Sequence, residues 1–145
     1  MREQLHGDAN HHDDNTRTSA HDNSMTLAEK QHLFTQLVVR LLRRAHKMGY
    51  GVAFSEAWRS PQEAARLAGT GEGIANSLHC ERLALDLILR RHNPATGKWT
   101  WLKTTDDYAA LGTYWKRLHA DCRWGGDFTT RQDGNHFSLT HGGRA

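Results

Sequence analysis

No segment of this chain approaches the roughly 18 consecutive apolar residues that a membrane helix needs, and the N-terminus lacks the basic stretch and apolar run of a secretory signal. The expectation is a protein made in the cytosol, with no transmembrane segment and no export route of its own. Cysteine is nearly absent: Cys80 and Cys122 are the only two, they lack CxxC spacing, and no disulfide framework follows from them. Proline is as scarce, at 2 residues, and internal repeats are missing, so collagen-like and coiled-coil classes are excluded along with membrane ones. What remains is 145 residues, 37% hydrophobic and 24% charged, with a mean hydropathy of -0.76. That composition suits one soluble domain with a single core.

The net charge of +3 is unevenly placed, since residues 1–24 carry −3 and residues 25–145 carry +6. A basic body favours anionic partners such as envelope polymers or acidic peptides. Nucleic acid is the weaker candidate and is not expected as a partner, because the basic residues are scattered and form no nucleic-acid-binding motif. Residues 1–24 are rich in His, Asp, Asn, Ser and Thr with almost no large apolar side chains, and are expected to be a disordered polar tail. His6, His11, His12 and His21 would hold metal there only adventitiously, and Met25 is an alternative start.

From Thr26 onward the pattern becomes regular. Thr26 and Glu29 form a TxxE capping box, and Leu33, Phe34, Leu37, Val38, Leu41, Leu42 and Ala45 recur at helical spacing until Gly49. Residues 50–58 read as a strand, and Pro61 opens a short helix through Ala68. Gly69, Gly71 and Gly73 mark a mobile loop. Residues 82–89 alternate as a strand, which Asn93–Gly97 turns back toward Trp99 and Trp101. A second long helix is expected from about Thr105 to Asp121 with Tyr108, Leu111, Trp115 and Leu118 inward, and His136–Leu139 closes the chain as a short strand. The sum is a single α+β domain over residues 25–145, a small, mostly antiparallel sheet flanked by helices.

Asp86 is the informative residue, a carboxylate inside the apolar run from Leu83 to Leu89. Burying it unpaired costs several kcal/mol, so it needs a cation, hydrogen-bond donors or a metal. His79 lies just before that strand, and Asp133 and His136 sit three residues apart across a turn. Two His and one Asp make a plausible zinc set with a fourth position open for water, the mark of a catalytic site. Hydrolysis also needs a base to take the proton from that water, and Asp133 is the candidate. Each piece has a plainer alternative: a structural histidine, a tight Asp133-Gly134-Asn135 turn, an ion pair of Arg59 with Glu56 or Glu63.

Together these residues carry a resemblance. Ser77-Leu78-His79-Cys80-Glu81-Arg82-Leu83-Ala84-Leu85-Asp86 matches the SxHxxxxAxD signature of zinc D-alanyl-D-alanine carboxypeptidases and phage L-alanyl-D-glutamate endopeptidases, and Asp133-Gly134-Asn135-His136 matches their second motif. The similarity extends over roughly residues 25–140, taking in Ala57-Trp58-Arg59-Ser60-Pro61 and Trp124-Gly125-Gly126-Asp127-Phe128. It implies that His79, Asp86 and His136 bind Zn²⁺, that Asp133 is the catalytic base, that Arg59 pairs a substrate carboxylate or the developing oxyanion, and that Ser77 and Trp124 lie at the substrate. Two departures stand out: the usual glycine between the His and Ala of the first motif is Arg82, and a glutamine common after Arg59-Ser60-Pro61 is Ala64, with Gln62 nearby. Cys80, if extended beside His79, would point to the opposite face.

The resemblance implies a monomeric, endolysin-type zinc metallopeptidase acting on bacterial peptidoglycan at the L-alanyl-D-glutamate bond. It would wait in the host cytoplasm and reach the periplasm or wall through a separate membrane pore. The alternatives are a carboxypeptidase or dipeptidase acting on D-Ala-D-Ala termini, and a non-catalytic zinc module that binds wall fragments.

Overall fold

Helix and sheet formation here follow from local chemistry that can be traced residue by residue in the computed structural model, which describes residues 25–145. The tail expected over residues 1–24, with its histidines, lies outside the described residues. Helix α1 (Leu27–Lys47) starts where Thr26 and Glu29 cap each other's backbone N–H groups, and it ends at Met48 ahead of Gly49, whose φ is +82°. It buries Phe34, Leu37, Leu41 and Ala45. Strand β1 (Tyr50–Glu56) follows, then α2 (Pro61–Thr70), opened by Ser60 Oγ accepting from the Glu63 N–H. Gly69 therefore lies inside α2, not in a loop, and Gly71 is the left-handed cap.

Strand β2 (Ala84–Asn93) organises the sheet, pairing with β1 along one edge. Its other edge is shared: β5 (His136–Leu139) takes Ala84–Asp86, and β3 (Lys98–Leu102) takes Leu89–Asn93. Strand β4 (Cys122–Trp124) lies outside β5, and every pairing is antiparallel. Three residues are too few to show alternation, which is why the sequence pattern does not reveal β4. The second long helix, α3 (Thr105–Leu118), stops three residues short of Asp121. No helix among the described residues is long and apolar enough to cross a membrane.

The core lies between one face of the sheet and helices α1 and α3. Leu85, Leu87 and Leu89 of β2 meet Phe137 and Leu139 of β5, Phe34, Leu37 and Leu41 of α1, and Leu111 and Trp115 of α3. Trp115 is fully buried, set edge-on to Phe34 and Phe137, with its Nε1 donating to the carbonyls of Arg123 and Ser138. Burial pushes the Cys122 thiol up to about 12, which makes it a small hydrophobe with no accessible thiolate.

Between β5 and β3 the edge of β2 is briefly without a partner strand. Tyr108 fills the gap: its hydroxyl accepts from the Leu89 N–H at 3.2 Å and donates to the Leu87 carbonyl at 3.1 Å, with the Leu102 carbonyl also in reach at 3.3 Å. Leu87 N–H donates to Asn135. Replacing Tyr108 by Phe keeps the ring but orphans a buried donor and acceptor, so Tyr108→Phe is expected to lower unfolding free energy by about 1–3 kcal/mol. Urea denaturation at unchanged m-value checks this; an effect below about 0.5 kcal/mol would show that water replaces the hydroxyl.

Candidate active site

Alternation along β2 turns Asp86 away from the leucines and onto the face opposite the core. The register then sets His136 of β5 and Glu56 of β1 directly across from it on either side. His136 Nδ1 lies 2.9 Å from Asp86 Oδ1, and His79 Nε2 lies 3.3 Å from the same oxygen. One ligand atom from each of the three residues falls within 4.8 Å of the others, and the two imidazole rings meet at 5.1 Å. Burial would raise the Asp86 pKa, but hydrogen bonds from His136 and His79 outweigh it and hold it at about 2. Two imidazole nitrogens and one carboxylate oxygen, nearly buried and facing each other, fit the donor set of a zinc site with room for a further ligand.

His79 reaches this point from a single 3-10 turn, Leu78–Glu81, and not from extended chain. Cys80 shares that turn and is half-buried, so strand alternation is not what separates it from the cluster. Ser77, which the resemblance places at the substrate, is buried; its Oγ accepts from the His79 N–H and caps the turn from beneath. The Arg59 N–H donates to the His79 carbonyl, tying the turn to the end of β1.

Asp133 and His136 are placed by a second turn, held almost entirely through its backbone. Asp133 N–H donates to the Gly125 carbonyl at 2.9 Å, and His136 N–H donates to the Asp133 carbonyl at 3.1 Å. Trp124, also expected at the substrate, is only 7% exposed and works from below: its Nε1 donates to the Gly134 carbonyl at 2.7 Å. The indole is flanked by Gly112 and Gly126, where a Cβ would fall 2.1 and 2.2 Å from its ring atoms. A Cβ at Gly125 would collide with the Asp133 carbonyl at 2.2 Å. The Trp-Gly-Gly stretch thus positions the turn that carries Asp133 and His136. Asp133 is open to solvent on one side, yet desolvation by the surrounding protein and the nearby Asp86 charge raise its pKa, as suits a proton acceptor.

Arg59 takes the ion pair that its sequence context left open. Its Nε donates to Glu56 Oε1 at 2.7 Å and its Nη2 to Glu56 Oε2, and this pairing, opposed by partial burial, raises its pKa. Glu56 in turn stands 4.0 Å from His79 Nε2. It belongs to the site in a way the sequence hides, because a bulge between Phe54 and Glu56 brings it opposite Asp86. Ala64 is fully buried in α2 while Gln62 is exposed, so Gln62 does not replace a side chain at that position.

Residues 70–139 match the family model described as D-alanyl-D-alanine carboxypeptidase, a stretch that contains His79, Asp86, Asp133 and His136. Nearly half of the chain, with both motifs in it, is thus similar to this peptidase family. Its fold is similar to the crystal structure of the L-Ala D-Glu endopeptidase ChiX of Serratia marcescens, at 25% sequence identity and a TM-score of 0.56 over 78% of this chain and 85% of that one. No curated protein sequence matches the peptidase.

The departure at Arg82 from the first motif of the family the chain resembles has a backbone consequence. Arg82 caps the turn that carries His79 with φ +56°, the one positive φ of a non-glycine among the described residues. A side chain in that conformation costs roughly 1–2 kcal/mol. The Arg82 guanidinium offsets part of this by lying over the Trp58 ring at 5.0 Å. Two variants that both lack the guanidinium isolate the backbone contribution: Arg82→Gly is expected to be more stable than Arg82→Ala by about 1 kcal/mol, the reverse of their order within a helix. Thermal denaturation of the pair reads this directly, and equal stability would mean that the turn relaxes around a β-carbon.

Proposed function

We propose that this peptidase is a zinc-dependent enzyme that hydrolyses the L-alanyl-D-glutamate bond of bacterial peptidoglycan stem peptides, in the manner of a phage endolysin. The observation that carries the reading is the convergence of His79 Nε2, Asp86 Oδ1 and His136 Nδ1 near Asp133. His79, Asp86 and His136 would hold the ion. When bound, zinc supplies Lewis acidity toward a water and the scissile carbonyl at neutral pH. Asp133, its pKa raised, accepts the proton of the attacking water and returns it to the departing amine of D-glutamate. Asp86 stays ionised throughout, and Glu56 fixes the Arg59 guanidinium at the rim of the cluster through Nε and Nη2. That leaves Nη1 to meet a substrate oxygen as charge develops on it.

The family description favours a second reading, trimming of D-Ala-D-Ala termini. A carboxypeptidase must capture a free C-terminal carboxylate, and the Arg59 fork is already engaged by Glu56. The similar Serratia enzyme is an endopeptidase by its title, which agrees with cleavage inside the stem. The +6 charge on residues 25–145 favours approach to an anionic envelope. The lytic role, with synthesis in the host cytoplasm and passage through a separate membrane pore, is carried by the resemblance to phage enzymes.

Metal analysis separates ligand from base. One zinc per chain is expected, lost together with activity in His79→Ala and Asp86→Ala. Asp133→Asn is expected to keep the zinc while activity falls by roughly 10²–10⁴-fold. Zinc leaving with the Asp133 carboxylate would make it a ligand, and full activity in thoroughly chelated protein would end the metallopeptidase assignment.

The scissile bond is read by digesting purified peptidoglycan and identifying the products by mass spectrometry. Glycan strands still bearing L-Ala and peptides with a new N-terminal D-Glu are the expected outcome. Release of D-Ala alone, with the wall intact, would shift the assignment to the carboxypeptidase, and zinc-loaded protein that binds the wall without cutting it would be a binding module.

A further inference from the structure

The sheet face that carries Asp86 does not end at the cluster. Alternate residues of a strand share a face, so it continues along β2 through Ile88 and Arg90 to His92. Register sets Trp101 opposite Arg90 and Trp99 opposite His92 on β3, with Ala53 and Gly51 of β1 opposite Ile88 and Arg90. Leu85, Leu87 and Leu89 point the other way, into the core. Both tryptophans therefore stand on the same side of the sheet as His136 and Asp86, and each is 52% exposed.

These indoles are exposed but braced. The Arg90 guanidinium lies over the Trp101 ring at 5.0 Å, and the Trp99 ring meets His92 at 5.0 Å. Trp99 also covers Gly51, where a Cβ would sit 3.0 Å from its ring. A cleft of about 390 Å³ joins this region to the turn that carries Asp133: Trp101 lines it from β3, Lys103 from just beyond that strand, Ile88 from β2, and Gln132 and Asp133 from the loop before β5. Large apolar side chains left in solvent beside a cleft, and held in place there, mark a ligand surface more than a packing one.

We infer that Trp101, backed by Arg90, is a platform on which a sugar ring of the glycan strand stacks while the attached stem peptide runs through the cleft to Asp133. A pyranose presents C–H bonds with partial positive charge from one face, and the indole face is negative, so the two attract without requiring a charge on the sugar. The spacing agrees. Four residues of β2 from Asp86 to Arg90 span about 13 Å. In a stem cut after L-Ala, one amino acid and the lactyl link, each about 3.5 Å long, separate the scissile bond from muramic acid, which puts that sugar about 7 Å away at its near edge and the second sugar of the disaccharide beyond it, at the distance of Trp101. In a stem cut at its D-Ala end the sugar would lie several residues further off, out of reach of Trp101. The platform thus rests on the L-alanyl-D-glutamate reading and gives it a reason.

Steady-state kinetics on two soluble substrates test it: a disaccharide-bearing stem peptide, and the same peptide with an N-acetyl group in place of the sugars. The zinc-loaded enzyme is expected to prefer the sugar-bearing substrate by about fivefold to tenfold in kcat/KM. Trp101→Ala is expected to abolish that preference, chiefly through KM, and Trp101→Tyr to restore most of it. A preference that survives in Trp101→Ala, or a loss that is equal on both substrates, overturns the platform while leaving wild-type cleavage at L-Ala–D-Glu in place. If the wild type cuts that bond in neither substrate, the underlying assignment fails and the platform fails with it.

Discussion

Asp86 shares one carboxylate oxygen between His136 at 2.9 Å and His79 at 3.3 Å, on a strand whose adjacent side chains, Leu85 and Leu87, are buried in the core. A carboxylate so placed is tolerable only while those partners stay within hydrogen-bonding distance or share a cation with it. Each of the three groups arrives on a different piece of chain: the third residue of β2, the first residue of β5, and the 3-10 turn ahead of β2. Much of the remaining architecture serves to keep those pieces in register.

The device on the β5 side is a tryptophan and its glycines. Trp124 can bond the Gly134 carbonyl from below only because Gly112 and Gly126 leave space for its ring, and Gly125 lets the Asp133 carbonyl approach. The device on the β2 side is Tyr108, whose hydroxyl completes the hydrogen bonding that β5 and β3 leave unmade between them. That gap in the ladder has a second consequence, since the cleft beside Asp133 opens along it and reaches Trp101. A continuous β3–β5 edge would have closed the space a substrate needs. On its β3–β5 edge, β2 gives up strand pairing at Leu87 and Ile88, and one buried phenol makes that interruption stable.

Much of this was legible in the sequence. The Thr26 and Glu29 box, the Pro61 start of α2, the core faces of α1 and α3, and the strand through Asp86 are written in local chemistry and period. The cluster residues were legible because a carboxylate inside a leucine run is costly, and because His79 and His136 flank it in recognisable motifs. The supporting roles of Ser77 and Trp124, under the His79 turn and the Asp133 turn, were not legible, because motif membership marks a residue as needed without distinguishing contact from support. β4 was invisible because its three residues cannot show a period.

Local sequence determined the secondary structure apart from β4 and the end of α2, the core face and the identity of the metal-ligand candidates, since caps, alternation and burial costs act over a few neighbouring residues. Tertiary structure alone decided what depends on bringing distant segments together. The β1 bulge sets Glu56 opposite Asp86, and Glu56 then claims the Arg59 fork. The left-handed backbone at Arg82 emerges only once the His79 turn is packed against β2. The shared face of Asp86, Arg90 and Trp101 exists only after β3 pairs with β2 in one register, because a shift of a single residue would turn Trp101 toward the core.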